Sequence, residues 1–410
     1  MFPEIMRPLS LVLFLVIVSS QAVVSGQTTR AEIIEKQRED KAAKLETYKP
    51  GRLEKILINA EDGKLRRLIA PYNGFFVGWG YTYRPTGAGF ALGGGFRHDL
   101  FDRRARVVFE AGQSFRNYNM VRGDLSLPRL ARGKLEVGVE GVYRHQPQDD
   151  YFGPGPDSLP ENRVNYLYKD NEFNGRAVFT PRSWFNIGTR IGRIAPSIDS
   201  GTDDLMPSIE QVFDDDDAPG LIEQPTFLYG EGFAEVDYRD EPGHTRAGGH
   251  YTVRVRKYSD RDLDRYGFNA VDVRLRQFFP IFDKKRVFAF QLAVSGSDAV
   301  SGSRVPFYYQ PTLGGGQSLR SERDYRFRDT HMLLMNAEYR WEAFSALDMA
   351  LFTDWGKVAP KFSDLNFSNL EHAYGIGFRV VAAQNVIFRL DIATGGSEGL
   401  RYMFKYSKVF

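Results

Sequence analysis

The feature that most constrains this chain is an alternation of apolar with polar or small residues, which recurs from residue 73 to residue 410. In the segment RVFAFQLAVS, Phe288 and Phe290 fall on one face, because successive side chains of a strand point to opposite faces. Such segments run to about ten residues or more, the length that a tilted strand needs to cross a bilayer, whereas strands of soluble sandwiches usually have about five or six. Charged residues recur on the second face, as Arg389 and Asp391 do in NVIFRLDIA, which is typical of a watery lumen.

Counting these segments predicts about sixteen strands, and the connections between them show a second regularity. The predicted ranges are 73–84, 87–98, 106–118, 121–130, 134–146, 171–180, 183–193, 227–239, 244–257, 268–279, 285–297, 331–342, 345–355, 372–382, 385–394 and 400–410. The long connections, 147–170, 194–226, 298–330 and 356–371, all follow odd-numbered segments, whereas short links follow even-numbered ones. Outer-membrane barrels have short periplasmic turns and long outer loops, and lipid requires every backbone group to be paired. We therefore predict an all-β fold, a transmembrane antiparallel β-barrel over residues 71–410.

The chain before the barrel divides into two predicted segments. Residues 1–26 have the pattern of a secretory signal peptide, because Arg7 precedes the apolar run LSLVLFLVIV, and Val24 and Gly26 supply small residues before a cut at Gln27. The alternative for this run is a buried core helix. Residues 27–70 are charged and helix-like with a thin apolar stripe, which favours a short periplasmic helical arm or linker.

Composition excludes several chemistries. Cysteine is absent, so neither a disulfide framework nor a thiol nucleophile can exist, and the net charge of +2 gives no bulk attraction to nucleic acid. The six histidines show no metal-ligand spacing, and the run Asp214–Asp217 lacks the spacing of an EF-hand. This run is more typical of a solvated acidic loop, with calcium or lipopolysaccharide-bridging cations as alternatives. Ser301 and Ser303 lack the strand–elbow–helix context of a hydrolase, so we predict no catalytic residue, metal or cofactor.

The stretch LGGGQSLRSERDYRFRD, residues 313–329, looks at first like a phosphate-binding loop. Such a loop needs a helix after its glycines, with the helix N-terminus facing the phosphates. Here HMLLMNAEYRW follows, which is another barrel strand, and there is no Gly-Lys-Ser/Thr ending. The stretch is therefore a charged loop after segment eleven rather than a nucleotide site.

The order of motifs from this loop onward resembles that of BamA/TamA-type outer-membrane proteins, also called bacterial surface antigens, a superfamily that includes two-partner secretion transporters. The motif positions are Leu313, Gly314, Gly315, Leu319 and Arg320 in the loop, Glu338 in NAEYR, and Phe352, Asp354 and Gly356 in FTDWG. Members of that superfamily fold the loop between strands eleven and twelve into the lumen of a sixteen-stranded barrel. The arginine of a Val/Leu-Arg-Gly-Phe/Tyr tip there meets acids on strands twelve and thirteen. The resemblance implies that Arg320 pairs with Glu338 and Asp354 as a loop latch.

The alternation of residues supports this pairing independently. Ala337 and Tyr339 fall on the predicted lipid face, so Glu338 points inward, and the same reasoning points Asp354 inward. Two unpaired carboxylates in a narrow lumen would repel each other, and an arginine between them offers a bidentate, charge-assisted partner. The alternative is that both carboxylates simply line a wet pore.

The sequence departs from the family pattern in two respects. Ser321 and Glu322 follow Arg320 where the family has a glycine and an aromatic residue, and Tyr325 or Phe327 is the candidate replacement for the aromatic anchor. Family members usually carry periplasmic POTRA domains before the barrel, and residues 27–70 leave no room for one. We therefore expect a short form without POTRA domains.

The last segment, LRYMFKYSKVF, resembles the C-terminal signal by which outer-membrane barrels are recognised for insertion. Aromatic residues alternate along it up to the chain end. The positions concerned are Tyr402, Phe404, Tyr406 and Phe410.

The resemblance implies a protein of the outer membrane of a Gram-negative-type bacterium that assists insertion or translocation of other proteins. Its expected partners are outer-membrane lipids and lipopolysaccharide, with client proteins and a periplasmic partner, and no nucleic acid. The alternative is a passive channel or surface-exposed structural protein that retains the family barrel. A third interpretation, a barrel enzyme at the lipid face, would require lipid hydrolysis.

Overall fold

The computed structural model describes residues 35, 36, 39, 73–79, 89–344, 346–382 and 385–405. The predicted signal peptide lies outside this part of the chain, as do Tyr406 and Phe410. Within the predicted arm only Glu35, Lys36 and Glu39 are described, and they are helical and exposed. Across the described ranges, no helix combines the length and apolar character needed to cross a membrane.

Sixteen strands form one sheet in which each strand pairs antiparallel with the next along the chain, so the predicted all-β sixteen-stranded fold is confirmed. A separate two-stranded ribbon joins Thr312–Leu313 to Phe327–Arg328. In chain order the strands of the large sheet are β1 Gly74–Trp79, β2 Ala91–Leu100, β3 Ala105–Ser114, β4 Asn119–Leu130, β5 Leu135–Tyr151, β6 Val164–Arg182, β7 Phe185–Ser200, β8 Phe227–Asp237, β9 Gly248–Asp260, β10 Phe268–Ile281, β11 Arg286–Ala299, β12 His331–Phe344, β13 Leu347–Ala359, β14 Glu371–Ala382, β15 Asn385–Thr394 and β16 Arg401–Lys405.

The two faces of the sheet differ as the alternation predicts. On β11, Phe288 and Phe290 are 43% and 44% exposed. The alternate residues Ala289 and Gln291 on the same strand are buried. The same contrast recurs on other strands, where Phe173 and Ile191 are exposed. An apolar face of this extent is unusual in water and is expected where lipid or another protein covers it.

The sheet curls into a barrel, because segments that are several strands apart in the strand order meet across its inner face. The connection between β11 and β12, residues 300–330, reaches Ser158 before β6 through Arg326 and reaches Asp354 on β13 through Arg320. The turn between β8 and β9, residues 238–247, reaches Asp348 on β13 through Arg246 at 2.9 Å. Strands β5, β6, β8 and β9 therefore share one interior with β12 and β13.

Strands β5, β6 and β7 extend further than predicted. Strand β5 ends at residue 151 instead of 146. Strand β6 begins at residue 164 instead of 171, and β7 ends at residue 200 instead of 193. Their outer ends carry polar residues such as Asp149 and pack under the loops, where Tyr151, Tyr166 and Ile198 form a cluster with Phe307. The alternation of apolar and polar residues stops before the hydrogen-bonded ladder ends, so the pattern underestimates these strands.

Candidate functional site

The glycine-rich stretch forms a hairpin inside the barrel. Gly314 and Gly315 have φ values of 116° and 83°, which favour glycine, and the Gly315 N–H donates to the Glu322 carbonyl at 2.8 Å. Leu313 and Leu319 are fully buried and pack with Phe327 and with residues of β11 to β14. Phe327, one of the two candidate anchors, therefore lies in the same apolar cluster as the hairpin. Tyr325, the other candidate, has a φ of 62° and lines a separate cavity.

Arg320 at the tip of this hairpin contacts both carboxylates with which the sequence pairs it. Its Nε and one terminal nitrogen donate to the two oxygens of Asp354 at 2.7 and 2.5 Å, a bidentate arrangement. The other terminal nitrogen donates to Glu338 Oε1 at 2.5 Å. The backbone N–H of Arg320 adds a bond of 3.2 Å to Asp354. The three side chains are buried.

The environment of Arg320 favours its charged form. Burial by itself would lower the pKa of the guanidinium, but the attraction of Asp354 and Glu338 outweighs this effect and raises the pKa above its ordinary value. The guanidinium also lies 3.5 Å from the centre of the Phe352 ring, a cation–π contact. Phe352 is therefore a supporting surface for the arginine rather than a lipid-facing residue.

Glu338 is a hub for three more arginines that the sequence interpretation does not include. Its Oε2 accepts from Arg340 at 2.7 Å and from Arg379 at 2.9 Å, and Arg389 approaches Oε1 at 3.4 Å. Arg389 also pairs with Asp391. Alternation on β15 predicts that Arg389 and Asp391 point inward, but the sequence contains no signal that joins them to Glu338 on a strand three places away.

Asn336 links the hairpin to the carboxylates from the side. Its amide nitrogen donates to Asp354 at 2.7 Å and to the Ser318 carbonyl at 2.9 Å, while its oxygen accepts from Gln291 at 2.8 Å. The tip is therefore held by charged and neutral hydrogen bonds together.

The two residues that depart from the family pattern have partners elsewhere in the barrel. Glu322 accepts from the N–H of Ser397 at 2.7 Å and from its hydroxyl at 2.9 Å, in the connection between β15 and β16. The neighbouring Arg323 donates to Glu398 at 2.5 Å. The hydroxyl of Ser321 donates to the His372 carbonyl on β14 at 3.0 Å. In this chain the polar tip attaches the loop to the last hairpin of the barrel.

Gly356 leaves room for the hairpin on β13. A Cβ atom added there would lie 2.9 Å from a Leu313 methyl carbon and 3.0 Å from the Leu333 carbonyl oxygen. We expect Gly356→Val to destabilise the docked loop by about 1–3 kcal/mol, because the added side chain overpacks this contact. The measurement is protection of the loop against protease in reconstituted vesicles.

Gly230→Val on β8 is the matched control, because nothing lies within 4 Å of a Cβ atom at that strand glycine. Equal protection of the loop in both variants would contradict the role assigned to Gly356.

The turn between β8 and β9 fills the interior from the side of the short connections. Asp348 on β13 accepts from His244 Nε2 at 2.6 Å and from Arg246 at 2.9 Å. The predicted strand limits leave only residues 240–243 for this turn, whereas the turn in the structure is longer and comprises residues 238–247. Its inward packing has no signature in the sequence.

The remaining predicted positions lie apart from this site. Tyr402 and Phe404 on β16 are 59% and 62% exposed, on the outward face as the C-terminal signal requires. In the acidic run, Asp215 pairs with Arg304 and Asp214 accepts from the Asp216 N–H at 2.9 Å. Within the described part of the chain, no group of three or more His, Asp or Glu residues is arranged to hold a metal ion.

These features define a sixteen-stranded antiparallel β-barrel with the connection between β11 and β12 folded into its interior. Among solved structures the chain is similar to BamA from Haemophilus ducreyi lacking POTRA domains 1–3, with a TM-score of 0.61, 13% identity, and coverage of 81% of this chain and 69% of that chain. It is also similar to CdiB from Escherichia coli, with a TM-score of 0.50, 12% identity, and coverage of 81% and 61%. CdiB from Acinetobacter baumannii matches with a TM-score of 0.47, 13% identity, and coverage of 81% and 56%.

The chain therefore has the barrel fold of BamA, as the resemblance of its motifs implies. It spans less than two thirds of the length of the two CdiB chains. No family model matches the sequence, and no curated protein matches it.

Proposed function

We propose that this chain is a non-enzymatic outer-membrane barrel protein that assists the insertion or translocation of other proteins, with residues 313–329 held in the lumen by the loop latch. The observation that carries the proposal is the buried Arg320, which bridges Glu338 and Asp354 at 2.5 Å each. A buried charge that lost one such partner would be strongly destabilised, so we infer that release of the loop requires all of these contacts to break together. The exposed apolar outer face supports a membrane location.

The contacts of the hairpin tip extend this proposal to the last strand. Glu322 and Arg323 hold the connection before β16, and a Cβ atom at Gly316 would lie 2.7 Å from Lys405 Cε on β16. Release of the loop therefore removes the inner support of β16, the strand at one end of the pairing order. We infer that a client strand or segment engages the free edge of β16 when the loop is released.

The contact of Glu322 with Ser397 gives a direct test of this support. In Glu322→Gln the two charge-assisted bonds from Ser397 become neutral ones, so we expect the hairpin of β15 and β16 to lose about 1 kcal/mol of local stability. Hydrogen exchange of the β16 amides should accelerate accordingly. Glu161→Gln, at an exposed position before β6, is the matched control. Unchanged exchange in β16 with Glu322→Gln would contradict the support.

The function itself is tested by comparing the outer-membrane and secreted proteins of the native host with and without this chain. We expect one or a few specific proteins to disappear from these fractions, which would identify the clients. Unchanged protein content together with altered solute uptake would support the passive-channel alternative. The loop and the turn at residues 238–247 both occupy the interior, which argues against a wide open pore.

A further inference from the structure

A cavity of about 440 Å³ lies in the interior away from the loop latch, and its composition is unusual. Seven of its 20 lining residues are tyrosines, although the whole chain contains 21. The remainder are mainly arginines and carboxylates, and Ile194 is the one aliphatic residue of the lining. The volume falls within the range of small-molecule sites, but the walls are far more polar than is usual for such sites.

The tyrosines stand on several elements and enclose the cavity from different sides. Tyr168 on β6 faces Tyr308 of the β11–β12 connection at 5.9 Å between ring centres. Tyr258 on β9 lies 5.1 Å from Tyr309 of the same connection. Rings of this kind present an apolar face together with a polar hydroxyl, so they suit a ligand that is itself apolar on its faces and polar at its rim.

The charged groups of the lining are mostly paired with one another. Arg144 bonds Asp170 at 2.7 Å and Glu172 at 2.8 Å, and Arg256 bonds Glu231 at 2.8 Å. Such pairs leave little net charge to attract a phosphate, but they present fixed donors and acceptors side by side. This arrangement matches hydroxyl groups, each of which donates and accepts.

Several polar atoms of the lining nevertheless have no protein partner. Asp170 is 2% exposed, and its Oδ1 has no hydrogen-bond partner among the described residues. The buried hydroxyl of Tyr308 and the buried Nε of Arg190 are likewise unpaired there. Arg190 stands on β7 and lines the cavity, where its charge also acts on Glu140 and Tyr229. Buried polar atoms without partners cost stability, so their presence around one cavity indicates a polar ligand or solvent.

We propose that this cavity binds a carbohydrate, with pyranose C–H faces against the tyrosine rings and hydroxyls bonded to Asp170, Arg190 and Tyr308. The site lies apart from Arg320 and its carboxylates, but it includes Tyr325 and Arg328 of the same β11–β12 connection, and it adds a glycan ligand to the proposed role in handling proteins. The glycan could belong to a soluble sugar or to a membrane glycolipid, because both present the same pyranose chemistry.

The test is saturation-transfer NMR on the full chain in a detergent without a sugar headgroup. One arm uses glucose, galactose, mannose, N-acetylglucosamine and their disaccharides at up to about 10 mM, which covers sites with dissociation constants of ~1 mM. A second arm uses oligosaccharide released from lipopolysaccharide, which separates a membrane glycan from a soluble sugar. We expect saturable transfer to ring C–H protons in at least one arm.

Two variants connect that signal to the cavity. Arg190→Gln should weaken binding about tenfold, because it removes a charged donor, and Tyr308→Phe should weaken it by a smaller factor. Arg193→Gln is the control for Arg190, since Arg193 lies on the opposite face of β7 and is exposed. Folding of every variant is checked by heat-dependent migration in SDS gels.

Three results would overturn the proposal. The first is the absence of saturable binding in both arms. The second is binding that Arg190→Gln leaves unchanged in a correctly folded barrel. The third is displacement of the sugar signal by inorganic phosphate at equal concentration, which would identify an anion site.

Discussion

Asp354→Arg is expected to displace the lumenal loop and to abolish function while the barrel still assembles. The substitution removes a carboxylate that accepts three bonds from Arg320 and places a second guanidinium beside it in a buried site. Breaking a buried ion pair in this way costs about 3–5 kcal/mol. The new guanidinium also repels Arg320, so we expect the loop to leave its docked position. The measurements are the levels of the proposed client proteins in the outer membrane and the protease sensitivity of the loop.

The reciprocal change separates loss of the pair from general damage. Adding Arg320→Asp to Asp354→Arg restores an opposite-charge pair, and we expect partial recovery of both readouts. Recovery is incomplete because an aspartate at position 320 would face Glu338, although Arg340 and Arg379 still neutralise that carboxylate. Asp364→Arg, in the exposed connection after β13, changes the net charge equally and should have no effect. Normal function of the single variant would contradict the loop latch.

Glu338→Gln is expected to have an effect of similar size by a different route. Four arginines approach this carboxylate, so its neutralisation leaves their charges facing each other in a buried space. We expect the free energy of unfolding to fall by about 3–5 kcal/mol, with lower resistance of the folded barrel to heat in SDS gels. The side chains differ by one atom, so packing is unchanged.

A second Glu→Gln substitution on an inward-facing strand position provides the comparison. Glu136 on β5 pairs with Arg176 at 3.1 Å, but its side chain is 39% exposed. Its neutralisation should cost at most about 1 kcal/mol, because exposed ion pairs contribute little. If Glu136→Gln and Glu338→Gln lowered the free energy of unfolding equally, the four arginines around Glu338 would not make its charge more important than that of an exposed ion pair.

The parts of this structure that sequence predicts best are those that a local pattern specifies. Strand β11 is predicted within two residues at each end, because an exposed apolar face and a polar interior impose a strict alternation of two. The same alternation places Glu338 and Asp354 inward. The motif order then implies Arg320 as their partner, and the contacts of 2.5 Å agree with that implication.

The parts that sequence does not predict depend on contacts between distant segments. Arg379 and Glu338 lie 41 residues apart, and Asp348 and Arg246 lie 102 apart, without any motif that connects them. The tyrosine-lined cavity similarly collects residues of five strands and one long connection. Each strand positions its own residues correctly, but the curvature of the sheet decides which of them meet.

The central claim is that the ion pairs of Arg320 hold the loop inside the barrel, and labelling of a single thiol tests it most directly. The chain contains no cysteine, so Ser321→Cys introduces the only thiol, next to Arg320 at a position that is 0% exposed. In intact outer membranes a charged maleimide should label this thiol slowly. Adding Asp354→Arg should increase the labelling rate about tenfold or more, and adding Arg320→Asp as well should make labelling slow again. Fast labelling without any change at position 354, or a rate that Asp354→Arg leaves unaltered, would contradict the account.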